Sequence, residues 1–123
     1  MLELIPLGFT AEEDLACLYS AAKALLYVSL YEGFGLPPLE AMASGTPAVV
    51  SDSSSIPEVV GSAALQVSPF DETAIREAML RLIDDPELCD TLAARGTARS
   101  RDFSWNRCAS TTREVYGRVL GGS

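Results

Sequence analysis

A chain of 123 residues with 48% hydrophobic residues can bury one core but not two, so a single domain over 1–123 is expected. Its formal net charge of −8 argues against a nucleic-acid or anionic-membrane surface, since both need clustered Lys and Arg. The absence of histidine removes the commonest general base and the commonest zinc ligand, and with them the usual catalytic triads and most zinc sites.

The elements follow from the N-terminus. Leu2 to Leu7 reads as a short apolar strand, with Pro6 marking an edge position because it cannot donate to a ladder. Thr10 and Glu13 form a capping box, and Leu15, Leu18, Tyr19 and Ala22 recur at helical spacing over Ala11 to Ala22. Ala24 to Ser29 is a second strand, followed by a loop with two glycines and a helix whose first turn holds Pro37 and Pro38. Gly45 reads as the C-cap of that helix. Pro47 to Ser51 and Ala64 to Val67 are the third and fourth strands. Between them Ser55 and Glu58 repeat the capping signature for a short helix stopped at Gly61, and Ser53 to Ser55 reads as a solvated turn with an N-cap.

Ile75, Ala78, Met79, Leu82 and Ile83 then form an amphipathic stripe, and Asp85 with Pro86 opens another helix. A last helix opens at Ser104 and carries Trp105, Cys108, Ala109, Thr112, Val115, Tyr116 and Val119 on one side. Phe103 and Trp105 read as packing residues. Alternating strands and helices without hairpin signals define an α/β class with a parallel sheet of about four strands, flanking helices and a helical C-terminal third. Cys17, Cys89 and Cys108 are odd in number and widely spaced, which fits free thiols in a reducing, cytoplasmic setting. No apolar stretch approaches the roughly 18 residues of a membrane span.

The loop Glu32 to Leu36 falls where the second strand ends, at the carboxyl edge of the sheet, and ligands bind at that edge in open α/β sheets. Gly33 and Gly35 let a ligand approach the backbone, and the helix start offers unpaired N–H groups. Pro37 and Pro38 have no N–H, so donors to an anion must come from Gly33, Phe34, Gly35, Leu36 or from Leu39 onward. Glu32 and Glu40 bracket the loop, and each carboxylate can accept hydrogen bonds from the paired hydroxyls of a sugar or a ribose.

The stretch SLYEGFGLPPLEAMASGTPAVVSDSSSIPEVVG, with a Glu, seven residues and a second Glu, resembles the donor-binding signature of the retaining nucleotide-sugar glycosyltransferases of family 4, group 1. The resemblance runs from about Gly8 to Tyr116 and includes DFSW at Asp102 to Trp105. It implies a truncated Rossmann-like unit, the C-terminal nucleotide-sugar-binding domain, in part, of a protein with two such domains (the GT-B fold). It also implies roles at matched positions: Glu32 catalytic, contacting the transferred sugar and stabilising charge at its anomeric carbon; amides around Gly33, Phe34, Gly35 and Leu36 meeting sugar and diphosphate; Glu40 holding the ribose. The family works without a metal, so no metal or other cofactor is expected, and the donor is a nucleoside-diphosphate sugar. The parent's location is cytoplasmic, with peripheral attachment to the inner membrane open.

Two features depart from the family pattern. A full member is roughly three times as long, with a further domain for the acceptor. Between Lys23 and Arg76 the chain has no Lys or Arg to neutralise a diphosphate. The chain therefore reads as the donor-binding portion of a hexosyl transferase, inactive or nearly so alone. A nucleotide-sugar epimerase or glycan phosphorylase relative, and a non-catalytic interaction module that keeps the fold, stand as alternatives. Leu2 to Leu7 is expected beside Ala24 to Ser29, and any sheet edge left open is expected to favour a homodimer.

Overall fold

The computed structural model describes residues 3–31, 35–103 and 105–121, with the side chains of 105–108 left aside. Three strands, β1 (Leu25–Tyr27), β2 (Ala48–Ser51) and β3 (Leu65–Val67), form a parallel sheet in the order β1-β2-β3. Helix α1 (Glu12–Ala21) precedes the sheet, α2 (Leu36–Ala43) connects β1 to β2, and α3 (Ile56–Val60) connects β2 to β3. Helices α4 (Glu72–Asp84), α5 (Pro86–Ser100) and α6 (Trp105–Val119) follow.

The α/β class and parallel sheet are as the alternation of elements predicts. The strand count is not: the sheet has three strands rather than four, because Glu3 to Gly8 forms no strand. Leu4, Ile5 and Leu7 stand exposed there, Leu4 at 94%. β-branched and apolar composition alone does not make a strand; a ladder partner must supply the hydrogen bonds. Leu2 lies outside the described residues, and β1 is itself an edge strand, so the first predicted strand is not its neighbour.

The central strand is buried on both faces, and its alternation divides the core. Ala48 and Val50 join Met42, Ile56, Val59 and Val60 under α2 and α3. Val49 points the other way, to Val67, Ala78, Leu82 and Leu92 under α4 and α5. At about 25 cal/mol per Å² of apolar surface, such side chains contribute on the order of 2 kcal/mol each when fully buried.

The helix ends explain themselves locally. Asp71 accepts from the Ala74 N–H at 3.0 Å and Asp85 from the Leu88 N–H at 3.0 Å, capping α4 and α5. Asp85 with Pro86 thus opens a helix as the sequence predicts. The capping box at Thr10 does not form: Ala11 takes the N-cap position, and the Thr10 hydroxyl turns back to the Gly8 carbonyl at 3.5 Å. Glu12, Glu13 and Asp14 instead place negative charge in the first turn of α1, complementing its dipole.

Of the α4 stripe, Ala78 and Leu82 are buried, whereas Met79 and Ile83 are exposed. Val115, Tyr116 and Val119 of α6 are exposed too, so these described side chains do not cover the sheet as the stripe predicts. Ser104, and the side chains of Trp105 and Cys108, lie outside the described residues. Among the described residues no helix is long and apolar enough to cross a membrane.

Candidate functional site

Glu32, Gly33 and Phe34 lie outside the described residues; Gly35, Leu36 and Glu40 are placed. Gly35 is buried at the N-cap of α2 with φ 89 and ψ 53, a left-handed conformation that a side chain would strain. Its carbonyl accepts from the Leu39 N–H at 3.3 Å. Leu36 opens the helix with its side chain exposed, and Glu40 follows about one turn later, also exposed. Since Pro37 and Pro38 carry no N–H, the amides of Gly35 and Leu36 are the described donors this helix start offers.

The far end of α2 is fixed as firmly. Gly45 has φ 71, its N–H donates to the Met42 carbonyl at 3.1 Å, and the Thr46 N–H donates to the Ala41 carbonyl at 2.9 Å. Together these make a Schellman cap, which confirms the C-cap reading of Gly45. The buried Thr46 hydroxyl then donates to the carbonyl of Tyr19, tying the last turn of α1 to the end of α2.

The loop after β1 is held from the loop after β2. The Ser51 hydroxyl, fully buried, donates to the Ser29 carbonyl at 2.6 Å. The Ser53 hydroxyl lies 3.3 Å from the Ser29 carbonyl and 3.4 Å from that of Leu30. Behind them, Ile56 at the start of α3 stands 3.7 Å from where a side chain at Gly35 would begin. The carboxyl edge thus gathers the loop preceding Glu32, the start of α2 and the start of α3. Arg99 anchors the opposite end of α3, donating from Nε to the Val59 carbonyl at 2.6 Å and from its terminal nitrogen to the Glu58 carbonyl at 2.5 Å.

The electrostatics centre on Tyr19 and Glu40. Burial pushes the Tyr19 phenol above the ordinary tyrosine value; the Glu40 charge, a hydrogen bond to Glu40 and Tyr27 add in the same direction. A raised pKa in the folded state contributes stability that is present below the unfolded value of about 10 and lost as pH rises through the folded value. Urea midpoints measured from about pH 9 to 11 should therefore fall with pH, and fall less in Tyr19→Phe. An equal slope in the two proteins would contradict the pairing.

Sequence reasoning missed Ser51 and Ser53 as parts of this edge, and Tyr19, Thr46 and Arg99 as the groups that fix the far ends of α2 and α3. A hydroxyl closing an otherwise apolar strand, as Ser51 closes Ala48–Ser51, is the signal that could have found one of them. Ser53 belongs to the support of this edge rather than to a merely solvated turn, and Ser55 takes the N-cap position of α3 with no capping bond from its side chain to the helix. Among the described residues no three potential metal ligands come together.

A parallel sheet whose carboxyl edge presents a glycine-opened helix and a carboxylate one turn along has the arrangement of open α/β units, in which that edge is the usual place for a ligand. The chain itself belongs to the glycosyl transferases of group 1, whose family profile matches residues 3–99. It is 46% identical over 110 residues to the O-antigen chain mannosyltransferase B of Escherichia coli, covering 89% of this chain and 29% of that protein. It is 40% identical over 114 residues to the MMP alpha-(1->4)-mannosyltransferase of Mycolicibacterium hassiacum, covering 89% of this chain and 28% of that enzyme. The sucrose-phosphate synthase of Thermosynechococcus elongatus superposes with a TM-score of 0.79 at 34% identity, over 95% of this chain and 30% of that one. The chain thus spans under a third of the length of these relatives.

Proposed function

We propose that this chain is the nucleotide-sugar-binding part of a retaining glycosyltransferase, with mannose, the sugar in the names of several relatives, as the transferred group. The bond from the anomeric carbon to the diphosphate oxygen breaks, an acceptor hydroxyl bonds to the same face, and its proton leaves with the nucleoside diphosphate. Glu32 stabilises the charge at the anomeric carbon, and the amides of Gly33, Phe34, Gly35 and Leu36 meet the sugar and diphosphate. Glu40 accepts hydrogen bonds from the ribose hydroxyls. No metal takes part. The acceptor is held by the rest of the protein, and the free thiols of Cys17 and Cys89 fit a cytoplasmic location. The open side of β1 is where a strand from the rest of the protein, or from a second copy, would pair.

The observation that carries this reading is the placement of Gly35 at the N-cap of α2 and Glu40 a turn further on, at the carboxyl edge of the sheet. Titration with GDP and UDP, followed by amide chemical shifts, tests it. The chain alone should bind with a dissociation constant of about a millimolar, because the basic groups that would each add a bond of roughly 1.5 to 3 kcal/mol are absent between Lys23 and Arg76. Glu40→Gln should weaken binding by about 10- to 100-fold as one or two charge-assisted bonds become neutral or are lost. Undiminished affinity in Glu40→Gln would overturn the ribose role.

A further inference from the structure

Helix α3 is held at both ends by groups from other elements. It has five residues, too few to stand by themselves, and Ser55 at its N-cap makes no capping bond from its side chain to the helix. At its C-terminus the Arg99 guanidinium donates to two of its carbonyls, Val59 at 2.6 Å and Glu58 at 2.5 Å. The guanidinium fits there because residue 61 is glycine: a β-carbon on Gly61 would stand 2.8 Å from the Arg99 Cζ. The Phe103 ring lies against the same group, with 5.8 Å between the guanidinium carbon and the ring centroid. The turn that ends α5 brings that ring round, the Asp102 N–H donating to the Arg99 carbonyl at 2.9 Å and the Phe103 N–H to that of Ser100 at 3.1 Å. At the other end of α3 Ile56, fully buried, stands 3.7 Å from where a side chain at Gly35 would begin. The contacts close a ring: Met42 of α2 seats α5 at Gly96, α5 carries Arg99, Arg99 holds α3, and Ile56 of α3 returns to the N-cap of α2.

We propose that Arg99 is a positioning residue for donor binding: by fixing the C-terminus of α3 it holds Ile56 against Gly35, and so sets the amides of Gly35 and Leu36 at the start of α2. The proposal rests on the donor-binding reading of those amides and adds a residue from another helix to them. Both bonds of the guanidinium go to backbone carbonyls, so Arg99 acts through the helix and not on the ligand. At 1.5 Å per residue α3 rises only about 7 Å, so a tilt of its last turn is carried to its first. Phe103 gives the D-F-S-W run a place in the same linkage, as the support of the guanidinium.

Arg99→Lys keeps the charge and removes the planar fork that reaches two carbonyls at once. In the 123-residue chain, held well below the melting temperature of every variant, the amide resonances of Gly35 and Leu36 should shift in Arg99→Lys without any ligand. GDP and UDP affinity should fall about three- to tenfold in that variant, within the range transmitted through packed elements. Phe103→Leu, which leaves Arg99 in place without its ring, should move the same two amides in the same direction by less. Leu82→Val is the control for lost stability alone: it loosens the opposite face of the sheet and should lower the melting temperature while those amides and the affinity stay as in the parent. Parental Gly35 and Leu36 resonances in Arg99→Lys, or an equal loss of affinity in Leu82→Val, overturns the proposal. Absence of any GDP or UDP response in the unaltered chain overturns the donor-binding reading itself, and the two amide shifts then decide separately whether Arg99 sets the start of α2.

Discussion

Replacing Gly96 by Leu should destabilise the fold by about 2 to 3 kcal/mol and lower the melting temperature by roughly 10 °C. Gly96 is buried in the middle of α5, where glycine ordinarily costs about 1 kcal/mol relative to alanine. Its place is explained by α2: a β-carbon there would stand 3.2 Å from Cβ and Cγ of Met42 and 3.3 Å from its Cα. Gly96→Ala should be within about 0.5 kcal/mol of neutral, because the gain in helix propensity offsets a shift of a few tenths of an ångström by a flexible methionine. Leucine brings three more carbons to a position where the β-carbon alone already meets Met42. Thermal melts of the two variants distinguish these terms; a Leu variant melting with the parent would mean that α5 is not seated on α2.

Glu32→Gln, placed in a full-length protein of the family built on this segment, should lower kcat by on the order of 100-fold and leave KM within about threefold. The reason is timing: positive charge appears at the anomeric carbon only in the transition state, so a carboxylate beside it contributes there and little in the ground state. In the loop that leads toward this position, the carbonyls of Ser29 and Leu30 accept from the Ser51 and Ser53 hydroxyls. Steady-state kinetics showing a raised KM with kcat intact would assign Glu32 to donor binding instead.

The sequence carried the sheet's interior well. Pro47 to Ser51 and Ala64 to Val67 were legible as strands because both are short apolar runs bounded by turn residues, and they pair as β2 and β3. The same criterion misread Leu2 to Leu7, since strand formation depends on a partner that composition cannot report. Gly45 was legible because a left-handed C-cap is a local requirement. Thr10 was not: the capping pattern was present, yet three first-turn acids served the helix equally well. Of the site, the glycines and glutamates stood out by spacing. The tie between Thr46 and the Tyr19 carbonyl did not, because it joins two helices that no sequence period connects.

The strand order β1-β2-β3 is also the order in which the strands leave the ribosome, so each pairs with its immediate predecessor and none waits for a distant partner. The cover for α2 arrives late by comparison. Met42 packs against Gly96, and β2, α3, β3 and α4 are all synthesised between them. During translation the part of the α2 face that α5 covers therefore stays open until α5 emerges, and this is the interval in which chaperone binding competes with aggregation.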